Sequence, residues 1–231
     1  MSLSLPPPIH TFSPPFPVSS LALVQCAAGK YSSIAGCQPC PAGLYGSTAG
    51  LVSSTCTGPC TAGYTCPSGS SSPTASICAA GTYSLASSAS CTSCPAGTYG
   101  SVSGLSSAAC SGSCYAGYTC AAGSTSATSV QCPAGWYSLA GSGVCTACPA
   151  GTYGAVAGLT IAACSGACAV GRFGANTNQT TSTCDGACLV EYTCAAGSTD
   201  EYGAPTAVQR YLHTWALVTP GVGLACTMCL S

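Results

Sequence analysis

A pattern of six cysteines recurs at a constant interval along this chain. Cys40, Cys94 and Cys148 are equally spaced, and the complete pattern C-x12-C-x2-C-x15-C-x3-C-x5-C begins at Cys78. A long, constant period indicates one small module copied in series. The chain has only 3 Phe and 2 Met but 22 Cys, so we expect disulfides to replace a conventional apolar core. The predicted fold is a small disulfide-rich one, mostly irregular with short β-hairpins and almost no helix, extended into an elongated tandem-repeat rod.

The period divides the chain into five segments. The first, residues 1–25, has prolines at six positions and no basic n-region, which makes it a poor signal peptide and favours an extended polyproline arm. No stretch of the sequence reaches the roughly 20 apolar residues of a membrane-spanning helix. The remaining boundaries are repeat 1 at 26–77, repeat 2 at 78–131, repeat 3 with a duplicated half-module at 132–194, and a divergent C-terminal cap or assembly segment at 195–231.

Charged residues are almost absent from the repeats. The chain contains no Asp, Glu, Lys, Arg or His between Tyr31 and Gly171. Three basic residues in all cannot neutralise the phosphates of a nucleic acid, so that class of partner is excluded. An uncharged surface also lacks self-repulsion, and we expect it to be covered by glycan or by other copies of the chain or matrix proteins. The cysteine content predicts an oxidising location, outside the cell or at its surface.

An irregularity in the third repeat bears on how the cysteines pair, since six cysteines alone allow 15 arrangements. After Cys168 the chain inserts a further C-x15-C-x3-C before Cys194. Duplication of such a loop is simplest if its two ends pair with each other, which favours pairing of nearest neighbours. An interleaved arrangement is the chief alternative. The nearest-neighbour scheme gives Cys26–Cys37, Cys40–Cys56, Cys60–Cys66, Cys78–Cys91, Cys94–Cys110, Cys114–Cys120, Cys132–Cys145, Cys148–Cys164, Cys168–Cys184 and Cys188–Cys194.

Most cysteines that open a loop are followed by x-x-G and then an aromatic residue. Gly can take a positive φ and turn the chain beside the disulfide, and a Tyr ring can then lie over the sulfurs as a miniature core. A binding role for the tyrosines is the alternative, and packing is favoured because such modules have little else to bury. The rings assigned to this packing are Tyr31, Tyr45, Tyr83, Tyr99, Tyr137 and Tyr153.

The strings CAAGTYSLASSASCTSCPAGTYG and CPAGWYSLAGSGVCTACPAGTYG resemble the ephrin-receptor-like cysteine-rich repeats, which are related in style to growth-factor-receptor and tumour-necrosis-factor-receptor modules. The C-x-x-G-x-Y opening and the C-x-x-C joint carry this resemblance, over roughly residues 26 to 194. It implies an extracellular, elongated string of small disulfide-stapled β modules, of a kind found in receptors, adhesion proteins and surface coats. The chain departs from the receptor examples in its lack of charge and in its C-x5-C step, so no ligand is inherited.

The sequence does not favour metal or catalytic chemistry. The C-x2-C pairs at Cys37/Cys40, Cys91/Cys94, Cys145/Cys148 and Cys226/Cys229 resemble zinc ligands in spacing, but there is no positive charge between Tyr31 and Gly171 to stabilise thiolates. General acid–base catalysis needs a positioned ionisable group, and the only cluster lies near the C-terminus, where a solvated surface is the simpler account. We predict no metal, no cofactor and no enzyme activity. The cluster comprises Asp185, Glu191, Asp200, Glu201, Arg210 and His213.

Two further features concern covering and assembly. The sequon Asn178-Gln179-Thr180 predicts an N-glycan at Asn178. The stretch from Thr206 to Val218 alternates like a strand, with Tyr211, His213 and Trp215 on one side, and either caps the array or docks on a neighbouring subunit.

Cys226 and Cys229 complete the cysteine inventory. They align with the C-x2-C joint of the repeats but lack a backward partner, so they bridge each other or reach another chain.

The expected function is structural. The uncharged repeats and irregular ends predict a self-associating, glycosylated subunit of an extracellular fibre, coat or flagellar-hair-like filament. The alternative is an adhesive or receptor-type ectodomain that binds a protein or carbohydrate ligand. The near uniformity of the copies favours a scaffold, because a ligand site would be expected to vary between repeats.

Overall fold

The computed structural model describes residues 25–205, so the N-terminal stretch before Gln25, the predicted assembly residues Tyr211, His213 and Trp215, and the pair Cys226 and Cys229 lie outside the description. Within this part of the chain there is no helix, and the strands form ten separate two-stranded antiparallel sheets. The predicted fold class is confirmed. The strands, numbered in chain order and paired as consecutive hairpins, are β1 Lys30–Ser33 with β2 Gly36–Pro39, β3 Leu44–Tyr45 with β4 Gly58–Pro59, β5 Tyr64–Thr65 with β6 Ser76–Ile77, β7 Thr82–Tyr83 with β8 Thr92–Ser93, β9 Thr98–Tyr99 with β10 Gly112–Ser113, β11 Tyr118–Thr119 with β12 Val130–Gln131, β13 Trp136–Tyr137 with β14 Thr146–Ala147, β15 Thr152–Tyr153 with β16 Gly166–Ala167, β17 Arg172–Phe173 with β18 Gly186–Ala187, and β19 Tyr192–Thr193 with β20 Ala204–Pro205.

The smallest repeating element is one hairpin with one disulfide, which we call a unit. Three consecutive units differ in loop length and together make up one period of the cysteine pattern: in repeat 2 their bridges span 13, 16 and 6 residues. The duplicated segment that begins at Cys168 forms a unit of its own, with the same 16-residue span as the unit before it. Units 1 to 10 begin at Cys26, Cys40, Cys60, Cys78, Cys94, Cys114, Cys132, Cys148, Cys168 and Cys188.

The structure has ten disulfides among the described cysteines, and they join the ten pairs of the nearest-neighbour scheme. The Cα atoms of bridged cysteines are 5.5 to 6.2 Å apart, within the usual range for a disulfide. Each C-x2-C pair of the repeats contributes its two sulfurs to two different bridges. Cys91, for example, bonds back to Cys78, whereas Cys94 bonds forward to Cys110.

The core is a row of cysteines. Twelve cysteines are at most 1% exposed, and they include the first cysteine of every unit from 1 to 9. Only two described side chains of another type are as deeply buried, those of Ser84 and Ser138. So short a unit has too little apolar surface to offset the conformational entropy lost on folding, and the covalent bridge supplies the constraint that a core would otherwise give.

The six tyrosines assigned to packing are half-buried rather than enclosed. In three of the four units with a 16-residue bridge, a tyrosine faces a glycine across the hairpin, as in the pairs Tyr99–Gly112 and Tyr153–Gly166, and in unit 9 Phe173 faces Gly186. A Cβ built on Gly112 or Gly166 would lie 3.8 Å from Cε1 of the facing ring. The ring therefore covers the backbone of the opposite strand, while contact between the rings and the sulfurs stays a prediction.

Candidate functional site

The junction between consecutive units is the feature that repeats along the whole described chain, and its first component is a glycine. This residue, three positions after the first cysteine, has φ between +76° and +87° in units 1 to 9, and we call it the turn glycine. In unit 5, Gly97 donates its N–H to the carbonyl of Cys120 at 2.8 Å and accepts the N–H of Cys114 at 2.9 Å. Both partners belong to unit 6, so both polar groups of one glycine join it to the next unit. The turn glycines are Gly29, Gly43, Gly63, Gly81, Gly97, Gly117, Gly135, Gly151 and Gly171.

The second component is a left-handed residue nine or ten positions after the first cysteine, which we call the corner residue. In unit 6, the corner residue Gly123 donates its N–H to the carbonyl of Cys94, and the carbonyl of the following Ser124 accepts the N–H of Gly100, both at 2.9 Å. The corner residues of units 2 to 10 have φ between +64° and +84°. They are Gly50, Gly69, Ser87, Gly104, Gly123, Gly141, Gly158, Asn178 and Gly197.

These four backbone hydrogen bonds occur at each of the nine junctions, with donor–acceptor distances of 2.7 to 3.3 Å. The ten units therefore form one continuous stack, which differs from a string of separate modules. Because buried backbone groups must find partners, the bonds also explain how such short strands satisfy their polar groups.

Units two positions apart also touch. A Cβ built on Gly97 of unit 5 would overlap the carbonyl oxygen of Gly141, the corner residue of unit 7. The same overlap with the corner residue two units later occurs at every turn glycine from unit 1 to unit 8. In units 1 to 8 glycine is therefore favoured by its positive φ and required by the absence of space for any side chain.

The position three residues after the turn glycine always holds a small residue, Gly, Ser or Cys. Where it is Gly100 or Gly154, an added Cβ would lie 2.9 Å from the first sulfur of the unit. Where it is Ser84 or Ser138, the buried hydroxyl donates a hydrogen bond to a carbonyl of the preceding unit. Ser84 donates to the carbonyl of Tyr64 at 2.8 Å, and Ser138 donates to that of Tyr118 at 2.9 Å. In units whose bridge spans 6 residues, the position holds the second cysteine itself. Among the described residues, no buried side-chain nitrogen or oxygen lacks a hydrogen bond.

Two acidic residues, Asp185 of unit 9 and Asp200 of unit 10, accept hydrogen bonds from residues of their own loops. Asp185 accepts hydrogen bonds from the backbone N–H and the side-chain amide of Asn176 and from the side chain of Gln179, and the Asn176 backbone bond is the main cause that lowers the pKa of Asp185. The equivalent residues in earlier units use a hydroxyl, as Ser111 does for the N–H of Ser101. Asp200 accepts the N–H of Tyr202 at 3.0 Å. Arg210 and His213 of the predicted cluster lie outside the described residues.

The sequon asparagine, Asn178, is the corner residue of unit 9. It is exposed, has φ of +66°, and donates its N–H to the carbonyl of Cys148 at 2.9 Å. Asn tolerates the left-handed conformation better than most residues with a side chain, so its presence here also has a conformational reason. Thr180 of the sequon is exposed as well.

Sequence reasoning identified the turn glycines as the site of a tight turn but missed the corner residues and the contacts between units. A signal was present, because a glycine stands nine or ten positions after the first cysteine in seven of the nine loops concerned. Ser87 and Asn178 interrupt that pattern.

Within residues 25–205, no group of three or more His, Cys, Asp or Glu side chains is placed to hold a metal ion. The thiols of the zinc-like pairs in this part of the chain are consumed by disulfides. No helix of the same part is long and apolar enough to cross a membrane.

No protein-family model matches the chain, and no curated protein matches it at a significant level. The architecture that stands on the structure is a tandem array of cysteine-rich, disulfide-bonded repeats with short β-hairpins. The number of disulfides indicates a secreted or extracellular protein.

Proposed function

We propose that this chain is a structural subunit of an extracellular fibre, coat or flagellar-hair-like filament, without enzyme activity, and that its repeats are of the ephrin-receptor-like type. The observation that carries the proposal is the unbroken junction pattern: the same four hydrogen bonds join all ten units. A rod held by bonds at every junction resists bending and stretching along its length, as a load-bearing element must.

The surface of the rod supports association with other copies. Units 2 to 8, residues 40–167, carry no charged side chain, so parallel rods meet no electrostatic repulsion along these units. Isolated apolar side chains are exposed along these units, among them Val102, Val144 and Val156 at 56%, 75% and 59%. Contacts between copies, with a glycan at Asn178, would cover this surface.

Negative-stain microscopy of the full-length oxidised protein tests the proposal, together with its molar mass from light scattering. Filaments or sheets with a regular subunit spacing are expected. Dispersed monomeric rods at every concentration would contradict the proposal and favour the adhesive or receptor-type alternative.

The variant Trp215→Ser asks whether the segment after the stack joins subunits. We expect this variant to lose assembly and remain a folded monomer. Phe12→Ser, which removes an aromatic residue from the other end of the chain, is the matched control. Assembly of Trp215→Ser at the wild-type concentration would exclude Trp215 from the contact.

A further inference from the structure

The turn position of the last unit departs from glycine. Unit 10 has Glu191 there, with φ of +78°, whereas each of units 1 to 9 has glycine. In units 1 to 8 the absence of a side chain makes room for the corner residue two units later. Units 9 and 10 have no such neighbour within the described residues, and no described atom lies within 4 Å of a Cβ built on Gly171 of unit 9.

A second position changes in the same two units. The residue two positions after the first cysteine is alanine in units 1 to 8 and becomes Val170 and Val190 in units 9 and 10. This position faces the unit two further along, because a Cβ built on Gly143 of unit 7 would lie 2.9 Å from the Cβ of Ala96 in unit 5. Val170 and Val190 are 78% and 89% exposed. Larger side chains therefore appear in the two units that have no later neighbour to accommodate within the described chain.

The first unit departs from the pattern at its loop. The bridge Cys26–Cys37 spans 11 residues, whereas the equivalent bridges in repeats 2 and 3 span 13. The shorter loop closes as a tight turn between Ser33 and Gly36, with Ile34 fully exposed at its tip. Its left-handed residue, Gly36 with φ of +94°, is the first residue of β2 and pairs with Ser33. The corner residues of units 2 to 10 lie instead in the loop between the strands, where the N–H and the following carbonyl attach each unit to the unit before it.

We propose that the stack is closed at both ends, by Glu191 with the two valines after unit 10 and by the shortened loop of unit 1. A further unit cannot precede unit 1 with the full set of bonds. A unit directly after unit 10 meets the Val170 side chain, and the unit after that meets the side chains of Val190 and Glu191. The number of stacked units is thus fixed by these residues. Another copy of this chain cannot lengthen the rod by continuing the stack, so copies that associate must do so through its sides or through segments outside it. The proposal holds whether or not the chain forms a fibre.

Insertion of extra units into the full chain tests the C-terminal end. Unit 10, which begins at Cys188, is of the same type as unit 6, which begins at Cys114 and is followed by unit 7 at Cys132. The same spacing places the first cysteine of a unit after unit 10 at position 206, where the chain has Thr206. A copy of residues 78–131 inserted after Pro205 therefore continues the spacing. Two chains carry this insert, one with the natural residues and one with Glu191→Gly, Val170→Ala and Val190→Ala.

Hydrogen exchange at the copied Gly104, the corner residue of the second inserted unit, distinguishes the two chains. In the chain with the three substitutions we expect the amide of the copied Gly104 to exchange as slowly as that of the original Gly104. In the chain with the natural residues it should exchange about tenfold faster or more, because the Glu191 side chain occupies the space that this corner residue needs. Equal exchange in the two chains, whether slow or fast, overturns the proposal for this end.

A substitution within the natural chain provides a second test that needs no insert. Gly81→Glu creates the terminal arrangement inside the stack and should speed exchange at Gly123, the corner residue of unit 6, by about tenfold or more, or prevent folding. Gly171→Glu is the matched control, at the same position but without a later neighbour in the described chain, and it should fold and leave exchange in units 1 to 8 unchanged. Wild-type exchange at Gly123 in the Gly81→Glu chain would overturn the proposal.

The N-terminal end is tested by a copy of residues 78–131 inserted before Cys26. Exchange at the copied Cys120 amide should be fast when unit 1 keeps its own loop. It should be slow when residues 27–36 are replaced by residues 79–90, because these supply the corner residue Ser87 between the strands. Slow exchange with the natural loop would show that unit 1 does accept a predecessor.

Discussion

Gly141 lies where a Cβ on Gly97 would be, although the two residues belong to units 5 and 7 of the stack. This contact joins units that share no covalent bridge and no hairpin. Because it recurs from unit 1 to unit 8, each of these units is held by the next two rather than by the next one alone.

The contact predicts that a single methyl group at Gly97 is costly. Gly97→Ala should lower the free energy of unfolding of the oxidised protein by about 3 kcal/mol, from the overlap with Gly141 together with the unfavourable φ of +85°. Gly171→Ala, at the equivalent position with φ of +76° and open space, should lose only about 1 kcal/mol. Chemical denaturation measures both, and equal losses would show that backbone conformation alone makes the position glycine.

The disulfide pattern predicts a simple peptide map. Digestion under non-reducing conditions should yield linked peptides only within units, including Cys60 with Cys66 and Cys94 with Cys110. Mass spectrometry of the linked peptides before and after reduction gives the assignment. A link between units, such as Cys60 with Cys78, would restore the interleaved scheme.

The buried hydroxyl of Ser138 should contribute to stability through its bond to the Tyr118 carbonyl of the preceding unit. Ser138→Ala leaves that carbonyl with one partner fewer, and we expect a loss of about 1 kcal/mol in the free energy of unfolding. Ser106→Ala, at an exposed position, should change it by less than about 0.5 kcal/mol. An equally small effect of both substitutions would argue that the bond is replaced by water.

The loop of unit 9 should respond to acid. Hydrogen bonds from Asn176, its backbone N–H above all, hold the pKa of Asp185 below its usual value of 3.8, so the folded state prefers the charged carboxylate. The stabilisation is present above that usual pKa and is lost as the pH falls through the lowered one. The amide resonance of Asn176 should shift over this acidic range, and Asp185→Asn should abolish the shift. Titration of that resonance near neutral pH would contradict the assignment.

The sequon predicts one N-glycan on protein made by a secreting eukaryotic cell. Thr180→Ala is the preferred variant, because it removes the sequon and keeps Asn178 in its left-handed corner. Intact mass before and after enzymatic deglycosylation should show one glycan on the wild type and none on the variant. An unmodified wild-type protein would leave Asn178 with its conformational role alone.

Several parts of the fold could be predicted because they depend on spacing along the chain. The span from Cys168 to Cys184 repeats the span from Cys148 to Cys164, so local pairing followed from counting. The core of cysteines followed from the shortage of large apolar residues. The contact of Gly97 with Gly141 could not be predicted, because the two glycines lie far apart in the sequence and each is explained equally well by its own turn.

The sequence by itself determined the unit: a cysteine, a turn glycine, a short hairpin and a bridge closed within one loop, since each of these is a local property of the chain. Only the tertiary structure decided how the units combine, because stacking depends on backbone hydrogen bonds that nearly every residue type can make. That structure gave a second meaning to two sequence exceptions, Glu191 and the short loop of unit 1. Neither is conspicuous as a local feature of the chain, and each lies at a position where a neighbouring unit would otherwise pack.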